Sequence, residues 1–127
     1  MGESGESGLR GLRILVVEDV FSMALVVENT LSALGCTVVG PVARLDEANR
    51  LAAAEALDGA LLDVNLNGEA VYPVVDTLRA RGVPLIFVTG YSAGALPETY
   101  RALPRVVKPF DMRALIALMA KTFARPG

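Results

Sequence analysis

Arg13-Ile14-Leu15-Val16-Val17-Glu18-Asp19 is the stretch whose reading decides the fold. The run is apolar after its first residue, as in a strand buried on both faces. It ends abruptly in two carboxylates. Beyond them the pattern changes to a helical one: Val20, Ala24, Val27, Leu31 and Leu34 share one face, closed by Gly35.

The same alternation continues down the chain. Thr37-Val38-Val39 reads as a second short strand, closed by Gly40-Pro41. Leu45, Ala48, Leu51, Ala52 and Ala56 form a second helical face, closed by Asp58-Gly59. Ala60-Leu61-Leu62 is a third buried strand running into Asp63, and Val71, Val74, Val75 and Leu78 give a third helix that stops at Gly82 with Pro84 beyond. Leu85-Ile86-Phe87-Val88 is a fourth strand running into Thr89-Gly90. Residues 94–103 are weakly helical, interrupted by Gly94 and Pro97. Arg105-Val106-Val107 is a short fifth strand ending at Lys108-Pro109, and Met112, Leu115, Ile116, Met119 and Phe123 line a last helix. Five βα units predict an α/β fold: a doubly wound parallel sheet with helices on both faces and right-handed crossovers. They occupy residues 13–124 as one domain. Residues 1–12, MGESGESGLRGL, are polar and Gly-rich and read as a flexible tail.

Composition bounds the function. With 127 residues, 53% hydrophobic and 20% charged, the chain can bury one core, which excludes disorder as the whole answer. A formal net charge of -2 argues against a general polyanion binder. The absence of His excludes His-ligated metals, Ser-His-Asp triads and a phosphohistidine of the chain's own. The single cysteine, Cys36, excludes an internal disulfide and reads as a buried small hydrophobe in a reducing cytoplasm. No secretory leader is visible, and no apolar run approaches the ~18 residues that span a bilayer. Charge is unevenly placed: residues 1–100 carry 6 basic and 13 acidic residues, whereas residues 101–127 carry 6 basic and only Asp111 acidic. The last strand and helix are therefore expected to offer a basic face to a partner.

In parallel α/β sheets chemistry gathers at the carboxyl ends of the strands. Those ends carry Glu18-Asp19, Asp63, Thr89 and Lys108. Each alone is an ordinary turn, cap or solvated residue. Three carboxylates, a hydroxyl and an ammonium on one edge are a different matter. Carboxylates held together repel, and a hard oxygen-ligated cation such as Mg²⁺ removes the problem. Asp63 could then act as a carboxylate nucleophile toward phosphorus, with Lys108 and Thr89 each reaching a phosphoryl oxygen.

Glu18-Asp19, Asp63, Thr89 and Lys108-Pro109-Phe110, at these spacings, resemble the receiver domain of bacterial two-component response regulators over about residues 12–124. The resemblance implies a flavodoxin-like (CheY-like) five-stranded sheet of order 2-1-3-4-5. It implies phosphorylation of Asp63 by a histidine kinase or phosphotransfer protein. Mg²⁺ would be held by Asp19, Asp63, the backbone carbonyl of Asn65 and, through water, Glu18. It also implies a cis Lys108-Pro109 peptide, and self-catalysed phosphorylation and dephosphorylation rather than conventional enzyme turnover. One feature departs from the ordinary pattern: Arg105 stands where most receivers have a Tyr or Phe that rotates inward. Meanwhile Pro84-Leu85-Ile86-Phe87-Val88-Thr89-Gly90-Tyr91 is similar to the PFxFATGY signature of the FATGUY regulators, single-domain receivers served by HWE or related HisKA_2 kinases. By that likeness Tyr91 takes the aromatic role, and Asn65 and Tyr91 tune the lifetime of the phosphorylated state.

No effector segment is recognisable after the last helix, so output is expected by protein contact or by draining phosphoryl groups. Direct DNA binding is not expected, because no aromatics interleave with the basic residues. A monomer or a weak homodimer through the last strand and helix, with Leu118 at its border, is expected. The competing reading is a phosphorylation-independent interaction module on the same fold, against which intact Asp63, Thr89 and Lys108 count. A haloacid-dehalogenase-type phosphatase is disfavoured, because Asp63-Val64-Asn65 puts an amide where that family resembles DxD. No phosphate-binding Gly-rich loop is present.

Overall fold

The computed structural model describes residues 6–90 and 96–123. In chain order they form α1 (Glu6–Leu9), β1 (Arg13–Val17), α2 (Phe21–Ala33), β2 (Thr37–Val42), α3 (Leu45–Ala54), β3 (Gly59–Leu62), β4 (Asn65–Leu66), β5 (Glu69–Ala70), α4 (Tyr72–Ala80), β6 (Leu85–Thr89), a 3-10 turn (Glu98–Tyr100), β7 (Arg105–Val107) and α5 (Met112–Phe123). Five strands make one parallel sheet in the order β2-β1-β3-β6-β7. Once the hairpin strands β4 and β5 are set apart, this is the expected 2-1-3-4-5 order.

The pleat explains why the central strands are apolar between their ends. Leu15 and Val17 of β1, Ala60 and Leu62 of β3, and Leu85 and Phe87 of β6 face α3 and α4. Ile14 and Val16, Leu61, and Ile86 and Val88 face α1, α2 and α5. Alternate residues thus enter two cores, and after Arg13 every position on these strands is buried. At the amino end of β3 the packing leaves no room even for a methyl group. A Cβ on Gly59 would lie 2.7 Å from the Phe123 ring.

Three local expectations are corrected. Residues 6–12 are not part of a tail. Leu9 and Leu12 are fully buried with Leu115, Met119 and Phe123. The Gly11 N–H donates to the Gly35 carbonyl at 2.8 Å, and the Thr37 N–H to that of Leu12 at 2.8 Å. Burial of the two leucines contributes about 1.5–3 kcal/mol each toward ordering the segment, beside those two backbone hydrogen bonds. Residues 1–5 lie outside the described residues. Second, β2 does not end at Gly40-Pro41 but runs on to Val42, with a bulge where Leu15 pairs Val39 and Val17 pairs Val42. Gly40 takes a φ of +97°, and a Cβ there would sit 2.9 Å from the Val42 nitrogen and 3.0 Å from the Val16 oxygen, so only glycine serves. Third, among the described part of 94–103 only Glu98–Tyr100 is helical, as a single 3-10 turn; Gly94 lies outside the described residues. No helix among the described residues is long and apolar enough to cross a membrane.

Candidate functional site

Among the described residues, the buried polar or charged side chains are Glu18, Asp63 and Thr89. All three stand at the carboxyl edge of the sheet. Burial of such groups is costly unless they are paired, so their clustering marks a built site.

The elements place them as follows. Glu18 and Asp19 follow β1, and the Glu18 N–H donates to the Val42 carbonyl at 3.0 Å, across the end of the bulged β2. Asp63 follows β3, and its N–H donates to the Val17 carbonyl at 2.9 Å. Thr89 is the last residue of β6, and its carbonyl accepts from the Lys108 N–H at 2.7 Å. The Lys108-Pro109 peptide is cis, as expected, and so is Gly40-Pro41.

The side chains converge. Lys108 Nζ donates to Glu18 Oε1 at 2.9 Å and to Asp63 Oδ2 at 3.2 Å. Carboxylate oxygens of Glu18, Asp19 and Asp63 lie within 4.8 Å of one another. Asp63 Oδ1 accepts from the Asn65 N–H at 3.3 Å, and Glu18 Oε2 from the Val20 N–H at 3.1 Å. Burial pushes the Glu18 carboxyl above the usual carboxylate range, and the Asp63 charge pushes the same way. Lys108 and the Val20 N–H oppose this without cancelling it. Burial works against the Lys108 ammonium, but Glu18 and Asp63 outweigh it and raise its pKa. One ammonium against three carboxylates leaves an excess of two negative charges. This donor set, all hard oxygen, fits a divalent cation of the Mg²⁺ type.

The sequence matches the response regulator receiver domain family over residues 14–120. The chain belongs to that family. No curated protein sequence matches this receiver significantly. Solved structures do. Superposition on the response regulator PhyR from Brucella abortus gives a TM-score of 0.76 at 28% identity, covering 91% of this chain and 50% of that one. SdrG from Sphingomonas melonis Fr1 gives 0.74 at 38% identity, covering 87% and 95%. The receiver domain of the sensor histidine kinase PA1611 from Pseudomonas aeruginosa, solved with a magnesium ion coordinated in its active site cleft, gives 0.76 at 29% identity, covering 87% and 96%. This receiver thus spans half the length of PhyR and nearly all of SdrG.

Of the residues expected at this edge, Glu18, Asp19, Asp63 and Lys108 bring their side chains together, and Thr89 is placed beside them by its backbone carbonyl, which accepts from the Lys108 N–H. Asn65 reaches the cluster through its backbone N–H, which donates to Asp63 Oδ1. Arg105 does not. It opens β7, at the opposite end of that strand from Lys108, and its guanidinium donates to the carbonyls of Arg101 at 3.0 Å and Leu103 at 3.4 Å. Tyr91 lies outside the described residues. The basic character of the last quarter is partly spent internally. Lys108 turns into the site, Arg101 Nε holds the Leu96 carbonyl at 2.9 Å, and Arg113 pairs with Asp111.

The sequence reading missed the β4–β5 hairpin. Asn67 and Gly68 form its turn with φ of +52° and +93°. The Asn67 N–H donates to Asp19 Oδ2 at 3.0 Å, and the Gly68 N–H to Asn65 Oδ1 at 2.7 Å. The Asn-Gly pair was the available signal. Beside Glu18 and Asp19 a cavity of about 210 Å³ opens, lined by Ala24, Leu25, Pro41, Val42 and Phe21, a residue that is 81% exposed.

Proposed function

We propose that this receiver is a single-domain response regulator. It takes a phosphoryl group from a phosphohistidine donor onto Asp63 with Mg²⁺, and it signals by contact with another protein while phosphorylated. The observation that carries the reading is the Lys108 ammonium shared between Asp63 and Glu18, with Asp19 in the same cluster. In the transfer, an Asp63 carboxylate oxygen attacks phosphorus. The P–O bond forms as the P–N bond to the donor imidazole breaks, and the electron pair stays on the ring nitrogen. Lys108 exchanges its bond to Asp63 for one to a phosphoryl oxygen, and the Thr89 hydroxyl meets another. Asp19, Asp63, the Asn65 carbonyl and, through water, Glu18 would hold Mg²⁺, which supplies charge neutralisation. In the reverse sense water attacks phosphorus, releasing inorganic phosphate and regenerating the carboxylate. Asn65 and Tyr91 set how long the acyl phosphate lasts.

Three further observations support the finer reading. The stretch Pro84–Tyr91 is similar to the FATGUY signature, which points to a kinase of the HWE or HisKA_2 type. Exposed Val20, Phe21 and Leu25 flank the mouth of the cluster, as suits a protein donor. The likeness to SdrG over 95% of that chain supports action as a lone receiver.

The test is intact mass after incubation with acetyl phosphate, and separately with an HWE-type kinase, with and without Mg²⁺. A single Mg²⁺-dependent phosphoryl adduct, absent in Asp63→Ala, is expected. No adduct from either donor would overturn the reading.

A further inference from the structure

The connection between β6 and β7 is fastened to α4 by contacts that the proposed chemistry does not use. Tyr72 opens α4 and Tyr100 closes the 3-10 turn. Their rings stack with centroids 4.4 Å apart and planes 5° from parallel. Tyr100 Oη donates to Asp76 Oδ1 at 2.9 Å. The Arg79 guanidinium lies 5.9 Å from the centre of the same ring, and its Nη1 donates to the Thr99 carbonyl at 3.3 Å. Beneath the stack, Leu96 is buried against α3 and α4, with Leu103 packed beside it. Successive turns of α4, at 72, 76 and 79, therefore all hold one short segment.

Both sides of this fastening lead back to the phosphoacceptor. Tyr72 follows the hairpin, and the Val71 N–H donates at 2.8 Å to the carbonyl of Val64, the neighbour of Asp63. Residues 96–103 lie between Thr89 at the end of β6 and Lys108 just past β7. Asp63 on one side, and Thr89 and Lys108 on the other, are each joined to the stack by short runs of chain.

We propose that the Tyr72–Tyr100 stack, with Asp76 and Arg79, is a latch that holds segment 96–103 in the resting position, and that filling the phosphoryl site releases it. The proposal rests on the reading of Asp63 as phosphoacceptor. A phosphoryl group shared by Asp63, Thr89 and Lys108 draws on three strand ends at once, while the stack fixes the chain that continues from them. Ring pairs attract at centroid separations up to about 7 Å, so a larger shift of the segment gives up the stack, and the two demands compete. Free energy that favours the latched form is then subtracted from the affinity for any phosphoryl mimic.

The test is titration with beryllofluoride in the presence of Mg²⁺. Tyr100→Ala is expected to bind roughly five- to tenfold tighter than the native chain, the lower end of ordinary allosteric couplings. Tyr100→Phe keeps the ring and loses the bond to Asp76, so it gains less in the same direction. In ligand-free Tyr100→Ala, the amide resonances of Leu96 and Leu103 are expected to move part-way to their beryllofluoride-bound positions. Unchanged or weaker binding by Tyr100→Ala, with native binding intact, overturns the latch alone. Absence of binding by the native chain overturns the phosphoacceptor reading and the latch with it. Should Tyr100→Ala not fold, Tyr100→Phe and Asp76→Ala decide by the same criterion.

Discussion

Gly59 shows how one residue can hold two elements together. It opens β3, and the Phe123 ring from the end of α5 lies where a side chain would begin. The ring is itself buried among Leu9, Leu12 and Met119, so it has little space in which to retreat. Gly59→Ala is expected to cost about 1–3 kcal/mol through overpacking, read as a lower urea midpoint with an unchanged slope. Phe123→Leu in the same chain should recover part of the loss. If Gly59→Ala is as stable as the native protein, the ring moves freely and the packing account fails.

At the scale of elements, the β4–β5 hairpin is what the carboxyl edge of the sheet adds beyond its strands. Its Asn-Gly turn has both residues at positive φ, the geometry that matches the twist of a two-residue hairpin. The turn aims the Asn67 N–H at Asp19, which the proposed chemistry assigns to Mg²⁺. A β-branched residue at φ +52° is strained by roughly 1–2 kcal/mol. Asn67→Val should therefore distort the turn, release Asp19 and weaken Mg²⁺ binding several-fold in a fluorescence or calorimetric titration. Asn67→Gly, which takes the same backbone conformation without strain, should bind Mg²⁺ as the native chain does. Equal Mg²⁺ affinities for all three would show that the hairpin merely closes the loop.

At the scale of the whole molecule, the site works against the fold that carries it. The buried Glu18 carboxyl has its pKa raised above 4.5 in the folded state. The folded protein therefore holds a proton that the unfolded chain has lost at the same pH. Stability from this group is greatest below pH 4.5 and declines as pH rises through the folded value. Lys108 follows the same sense at the far end of the scale: its raised pKa contributes stability below pH 10.5, lost as pH climbs through the folded value. Melting temperature against pH, without metal, should fall across the first window, and Glu18→Gln should flatten that fall. Mg²⁺ at about a hundredfold over its dissociation constant should raise stability by about 2.7 kcal/mol at neutral pH. A slope unaltered in Glu18→Gln would assign the pH dependence to other groups.

Much of this was legible in the sequence. Each central strand sends alternate residues into two cores, so β1, β3 and β6 had to be apolar between their ends, and that pattern identifies a parallel sheet covered on both faces. The strand ends then follow, and with them Glu18, Asp19, Asp63, Thr89 and Lys108. Other features depend on contacts between residues far apart in the chain, which periodicity cannot register. Leu9 and Leu12 look isolated in a Gly-rich leader until α5 and Gly35 are brought beside them. Gly40-Pro41 looks like the end of a strand until Val17 pairs with Val42 across the bulge. Arg105 occupies the place of an aromatic, and only the fold shows its guanidinium engaged with its own loop. Tyr72 and Tyr100 are ordinary surface aromatics in the sequence. Tertiary structure alone stacks them, because the crossover from β6 to β7 returns over α4.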